Sequence, residues 1–248
     1  MPPKPDPTPA APPPGQTAID AVFEALVADI VRGTYPPGSR LPAERDLARL
    51  LGASRPTLRE ALRRLAEWNL VAARRGSGVA VRETREWMVE VLPSYLRHGR
   101  PGAGHSILEL VRDILLLRRL TMVDMLRLMG GRVPAGGTDV AREHAERAWA
   151  LRGNLGAFAA EDFQVIRALC EAASSLPAMW MVNRISGVYL DMARSLAGAI
   201  PPPSDYLAVY GKVLDHVDAG DGEAAARELD GYLDRHDQKL LALLGHLK

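Results

Sequence analysis

Residues 54–65 read SRPTLREALRRL, and the fold of the N-terminal part of the chain turns on them. Leu58, Ala61, Leu62 and Leu65 fall at i, i+3, i+4 and i+7, which puts four apolar side chains on one face of a helix. Arg55, Arg59 and Arg63 recur at i, i+4 and i+8 along another face. Ser54 is a good N-cap, and Pro56 falls early enough that its missing N–H breaks no intrahelical bond. The pattern predicts a helix running to about Trp68, with one stripe to bury and one cationic stripe. Taken alone, that helix suits an ordinary solvated face as well as a surface for a polyanion. Its neighbours separate the two readings.

Just upstream, PAERDLARLLG (42–52) predicts a short helix: Pro42 suits its first turn, Glu44 and Asp46 its positive end, and Gly52 the C′ position. Leu47, Ala48 and Leu51 offer a surface on which Leu58, Leu62 and Leu65 can pack. Further back, Val22, Leu26 and Ile30 are spaced by four, predicting a helix from Thr17 to Gly33, followed by a turn in YPPGSRLP (35–42). Downstream, NLVAARRGSGVAVR (69–82) places two short apolar arms around Arg74-Arg75-Gly76-Ser77-Gly78, the pattern of a β-hairpin. Helix, turn, helix, short turn, helix, hairpin is the order of a winged helix-turn-helix.

Charge supports a contact with a polyanion. The net charge is +1, but residues 33–82 hold ten arginines against Glu44, Asp46, Glu60 and Glu67, a local excess near +6 that leaves the rest of the chain near −5. A helix entering the DNA major groove needs a buried face, a short polar end that reaches base edges, and cations for phosphates. Ser54, Arg55, Thr57 and Arg59 occupy the first turn and a half of the predicted helix, the part that would enter. Arg45 on the preceding helix and Arg74 or Arg75 in the hairpin are placed to grip backbone or a minor groove.

The stretch 35–81 resembles the N-terminal domain of GntR-family transcription regulators over nearly its whole length, through PPGxxLPxERxLAxxLGxSRxTxREALxxL and a GxG in the wing. The resemblance implies that Arg45, Arg55, Thr57 and Arg59, with Arg75 and Gly76 of the wing, contact operator DNA. Two departures stand out. Pro56 replaces a residue that often carries a hydroxyl, and Trp68-Asn69 stands where the family often has a residue followed by glycine.

The remainder of the chain reads as helix. Residues 1–16 are a proline-rich tail, predicted to be disordered. After the winged helix-turn-helix domain at 17–83, helices are predicted near 84–98, 105–129, 138–152, 156–173, 178–199, 204–219 and 221–246. GGRVPAGG (130–137) and AIPPPSD (199–205) mark breaks, and Thr138, Ser204 and Asp221 are N-cap candidates. The fold class is therefore mainly α, with a small β-hairpin wing followed by an all-α bundle of six to seven helices at 84–248. The 84–98 helix is expected to join the modules, with Trp87 and Leu92 packing between them and Pro93 bending it.

An all-helical second half of this length resembles the effector-binding and dimerisation domain of the FadR subfamily. Most members hold a metal through an Asp and a His four apart and two later histidines. In EDFQVIRAL (161–169) only Asp162 remains, with Ile166 at the histidine place, and Tyr210 and Tyr232 fall where the later imidazoles would stand. Phenols are poor ligands for a borderline metal, and His144, His216 and His236 show no shared-face spacing, so neither a metal nor another cofactor is expected. The fatty-acid-responsive regulator FadR likewise lacks the metal, has tyrosines at both places, and binds a long-chain acyl-CoA. The resemblance assigns Arg118, Tyr189, Tyr210 and Tyr232 to a ligand site beside Asp162. Where FadR has small or aromatic residues in its last helix, this chain has Leu233, His236 and Leu240.

Physically, Arg118 follows DILLL in a helix apolar on most sides, so its guanidinium needs a partner. Either it pairs internally with Asp162, or with Asp113 or Asp124 at the surface, or it anchors a ligand carboxylate or phosphate, with Tyr210, Tyr232 and His236 donating hydrogen bonds. His236 lies one turn after Tyr232, on the same face. The methionines at 122, 125, 129, 179, 181 and 192 fit a core, or a cavity that adapts to an acyl chain.

No nucleophile with a paired base, no phosphate loop and no metal spacing is present in the sequence, so catalysis is not expected. The lone Cys170 and the lack of a bilayer-spanning run or signal-like h-region predict a cytoplasmic protein with no membrane partner. The function expected is a homodimeric repressor-type regulator that binds double-stranded operator DNA and is controlled by a small effector, an acyl-CoA or an organic acid. The alternative is a DNA-binding protein whose helical domain serves only dimerisation or protein contacts.

Overall fold

In the computed structural model of the 248-residue chain, the described residues are 17–74, 78–99, 106–195 and 202–246. They belong to two compact units, Met1–Ala103 and Gly104–Lys248. Among the described residues there are ten α-helices and one two-stranded antiparallel hairpin. The tail at 1–16 and the wing tip at 75–77 lie outside them.

The first unit opens with α1 (Ala18–Val31), whose N-terminus is closed by a capping box between Thr17 and Asp20. Then come α2 (Glu44–Leu50) and α3 (Arg55–Glu67), joined by a tight turn with Gly52 at φ +60°. Leu58, Ala61, Leu62 and Leu65 are all buried, against Leu26, Val27 and Ile30 of α1 and Leu47 of α2. The apolar stripe read from residues 54–65 thus builds this core. Phe23 meets Trp68 edge to face, with ring centroids 4.7 Å apart. Asn69 takes φ +56°, the left-handed region glycine favours; asparagine is among the few side chains that tolerate it, which explains how it stands at this helix exit.

The hairpin pairs β1 (Val71–Arg74) with β2 (Gly78–Val81), Val71 facing Val81 and Arg74 facing Gly78. A third strip of chain joins its edge: Arg40 bridges to Ala80, and the Leu41 N–H donates to the Val79 carbonyl at 2.9 Å.

The region 84–98 differs from the single helix expected there. It forms two 3₁₀ turns, Thr84–Glu86 and Val89–Val91, and only then α4 (Leu92–His98). Pro93 starts α4 and does not bend a longer helix, since proline cannot supply the N–H an interior position needs. Val91 is buried in the first core, and Trp87 packs on that same core while its indole N–H donates to the Arg82 carbonyl at 3.0 Å.

The second unit contains α5 (Ile107–Met129), α6 (Asp139–Ala150), α7 (Leu155–Ala172), α8 (Leu176–Ser195), α9 (Tyr206–Asp218) and α10 (Gly222–His246). α10 packs along α5 and α9, and α7 lies between α6 and α8. Ala141, Ala145 and Ala148 form the buried face of α6, small enough for α7 to approach closely. Ser106 and Asn154 cap α5 and α7, and the Asp221 carboxylate accepts from the Ala224 N–H at 2.8 Å at the start of α10. Thr138 does stand at the N-cap of α6, but its hydroxyl donates to Asp218 at 2.6 Å and makes no capping bond; at α9 the N-cap is Asp205, one residue beyond Ser204.

The end of α5 meets the start of α10 through two glycines. A Cβ on Gly222 would lie 2.7 Å from the Gly130 Cα and 2.8 Å from the Leu126 carbonyl oxygen, both backbone atoms. Gly222→Ala is therefore expected to lower stability by about 1–3 kcal/mol through overpacking, read as a lower urea midpoint; an unchanged midpoint would show that the α5–α10 seam yields freely.

Candidate nucleic-acid interface and effector site

The exposed end of α3 is set by its cap. Ser54 Oγ accepts from the Thr57 N–H at 3.2 Å and lies 2.8 Å from the Thr57 hydroxyl, so both residues hold the helix start as well as facing outward. Arg55 is exposed, with no ion-pair partner among the described residues. Arg59 donates from Nε to Glu44 at 2.8 Å, yet its side chain is 68% exposed, and the Arg45 side chain is 76% exposed beside Asp46 at 3.6 Å. Exposed pairs of this kind contribute little to stability and exchange readily for other anions.

The structure sorts the arginines of α3. Arg63 is held by Glu60 and Glu67 of its own helix. Arg64 reaches across to Asp20 of α1 at 2.6 Å. The Asp20 carboxyl, accepting from Thr17 and then Arg64, is held down at about 2. Arg63 and Arg64 thus work within the fold, while Arg45, Arg55 and Arg59 present their charge outward. Arg40, on the strip beside β2, is a further exposed arginine without an ion-pair partner among the described residues, one that its place in a turn-like stretch gave no reason to single out. Arg74 is exposed at the end of β1; Arg75 and Gly76 lie outside the described residues.

In the second unit the side chains singled out in the sequence converge from five helices, α5 and α7 to α10. Asp162 of α7 is buried and accepts from the Tyr206 hydroxyl at 2.8 Å and the Tyr189 hydroxyl at 3.2 Å. Tyr206 and Tyr210 of α9 have ring centroids 4.3 Å apart, and Tyr232 of α10 meets Tyr210 edge to face at 6.1 Å. Burial first, and then the Asp162 carboxylate, raises all four tyrosine hydroxyls well above their ordinary value, so they stay neutral donors. Asp162 and Tyr210 share an apolar cavity with Met122, Leu126, Ile166 and Leu229. Its empty space is about 310 Å³ counting its open side, and its enclosed part has room for about one water.

Arg118 takes none of the three carboxylates expected for it. Its Nη2 donates to Asp237 of α10 at 2.7 Å, a pairing across 119 residues. Burial works against its charge, but Asp237, then Tyr189, Tyr210 and Asp162, outweigh this and raise its pKa. The Arg118 Nε and the His236 Nδ1 are both buried with no hydrogen-bond partner among the described residues. Burial, with Arg118 and Lys239 nearby, lowers the His236 imidazole to about 4, so it is neutral at physiological pH. Sequence reasoning missed Tyr206 and Asp237. Tyr206 follows a proline-rich break, and nothing local marks Asp237 as the residue opposite Arg118. Among the described residues no helix is long and apolar enough to cross a membrane.

Residues 18–81 match the bacterial regulatory proteins of the gntR family. The chain is 31% identical over 236 residues to the HTH-type transcriptional regulator Rv0494 of Mycobacterium tuberculosis, covering 90% of this chain and 89% of that one. It is 28% identical over 220 residues to the fatty acid metabolism regulator protein of Edwardsiella ictaluri, covering 85% and 82%. The solved structure of Lar, which controls expression of the Listeria monocytogenes agr system, shares the fold with a TM-score of 0.57 at 14% identity, covering 94% of this chain and 99% of that one. A winged helix-turn-helix with an outward cationic end, matched over most of its length to such regulators, identifies the protein: the chain belongs to the GntR family of bacterial transcription regulators and carries its DNA-binding domain at the N-terminus.

Proposed function

We propose that the chain acts in the cytoplasm as a homodimer on a two-fold operator, and that an anionic effector held around Arg118 sets its affinity for DNA. In this reading Ser54, Arg55, Thr57 and Arg59 enter the major groove, Arg45 holds phosphate, and Arg75 and Gly76 of the wing complete the contact. The α5 face bearing Leu116, Leu117 and Leu120, between 43% and 64% exposed, supports contact between two copies. The observation that carries the effector reading is a pair of buried nitrogens without a hydrogen-bond partner among the described residues, Arg118 Nε and His236 Nδ1, with Arg118 close to the Tyr189 and Tyr210 hydroxyls and Tyr210 in turn lining the apolar cavity with Asp162. Buried polar atoms are seldom left without partners, and a ligand carboxylate or phosphate would supply one to Arg118.

The likeness to a fatty acid metabolism regulator favours a long-chain acyl-CoA. The acyl chain would enter between Met122, Leu126 and Leu229, which requires the helices to part, because the enclosed space now holds about one water. That small space supports a second reading, a short organic acid. Titration calorimetry with oleoyl-CoA and with malonate separates the two. Whichever binds, Arg118→Ala is expected to weaken it roughly 10- to 150-fold, the equivalent of about 1.5–3 kcal/mol for a hydrogen bond to a charged group. Undiminished binding to that variant would remove Arg118 from the site.

A further inference from the structure

The Arg118–Asp237 pair is an incomplete match. Arginine offers five N–H donors in a planar fork and binds carboxylates best through two parallel bonds. Here one carboxylate bond is made, Nη2 to Asp237 Oδ1, with the Tyr189 hydroxyl beside the guanidinium, while Nε is buried without a partner among the described residues. The neighbouring Arg119 is served differently, by Asp234 and by Asp230 at 3.5 Å, so Asp237 is the one carboxylate bonded to Arg118 among the described residues.

We infer that Asp237 is an internal competitor for the effector: it occupies Arg118 in the ligand-free protein, and an incoming carboxylate or phosphate displaces it. This inference rests on the effector site proposed above. An anion that accepts from both Nε and Nη2 makes the bond Asp237 makes and one it leaves unmade. Burial pushes the Asp237 carboxyl up against the pull of Arg118 and Arg119, so desolvation already works against its carboxylate in the pair. The exchange also has a structural consequence. Arg118 and Asp237 sit on facing stretches of α5 and α10, so displacement removes a cross-link from the seam between them. α5 is the helix the chain enters on leaving the first unit, and α10 beyond Asp237 keeps Leu240 as its buried anchor.

An internal competitor lowers apparent affinity by the fraction of molecules whose arginine is occupied, so removing it tightens binding. A residue that merely pins the fold would have the opposite effect or none. The experiment titrates oleoyl-CoA and malonate separately into full-length wild type, Asp237→Asn and Arg118→Ala. Asp237→Asn is expected to bind the probe that wild type binds at least about tenfold more tightly, and Arg118→Ala to lose it. Equal or weaker binding to Asp237→Asn, with the Arg118 dependence intact, overturns the competitor and leaves the effector site standing. No binding of either probe to wild type or Asp237→Asn, or binding indifferent to Arg118, overturns the effector site and the competitor with it. If Asp237→Asn does not fold, hydrogen exchange on wild type decides. Backbone amides of residues 234–246 are expected to exchange several-fold faster with the bound probe, and unchanged or slower exchange overturns the inference.

Discussion

Arg59→Ala is expected to weaken specific operator binding by about 1–3 kcal/mol per half-site, or about 2–6 kcal/mol if the proposed homodimer engages two, while leaving the protein folded. The side chain projects from the first turn and a half of α3, is largely exposed, and among the described residues pairs with the exposed Glu44. Its loss removes no core contact, so circular dichroism and thermal melting should be nearly unchanged. The contrast with Arg45 sharpens the test. A base-reading arginine loses discrimination at one position, whereas a phosphate-contacting one weakens all sequences alike and lowers the salt slope by about one. Anisotropy titrations on the operator and on scrambled duplexes at several salt concentrations distinguish the two. Operator affinity that survives Arg59→Ala would contradict the placement of α3 in the groove.

Asp162→Ala is expected to have a comparable effect on stability. The carboxylate accepts from two tyrosine hydroxyls, one on the fully buried Tyr206. Its removal strands both, at about 1–3 kcal/mol each, for a total of about 2–6 kcal/mol. Asp162→Asn should cost less, because the amide keeps one acceptor oxygen and a tyrosine hydroxyl can turn to accept from its NH₂. Urea unfolding of the three proteins gives the order wild type, Asn, Ala. An alanine variant as stable as wild type would show that the tyrosines find other acceptors. The arrangement also bears on the metal-site resemblance. In this chain Ile166 and Tyr210 line the cavity with Asp162, and both Asp162 oxygens already accept hydroxyl hydrogens.

The first unit was legible because its signals are local. Ser54 caps the helix it precedes, the 54–65 stripe is buried as its spacing demands, and Gly52 and Asn69 take the left-handed turns at the two helix exits. The stretch 84–98 was misread because its apolar residues have a helix-like density while Pro93 permits a helix only from α4 onward. In the second unit, helix positions followed from periodicity and breaks, and the convergence of Asp162, Tyr189, Tyr210 and Tyr232 followed from family likeness. What no pattern supplied were the pairings over long separations. Arg118 had several carboxylates within reach on paper, and the choice of Asp237 depends on how α5 lies along α10. Tyr206 had no partner until α9 was laid beside Asp162. Such contacts are properties of packing, which short-range spacing does not encode.

The central claim is that one unit reads DNA and the other governs that reading through Arg118. The most direct measurement is the affinity of wild type and Arg118→Ala for a duplex selected from a random-sequence library, with and without saturating oleoyl-CoA or malonate. One of the two anions should change wild-type affinity at least about tenfold, a coupling of about 1.4 kcal/mol, and leave Arg118→Ala unchanged. Wild-type affinity indifferent to both anions, or an equal response in Arg118→Ala, would contradict the account.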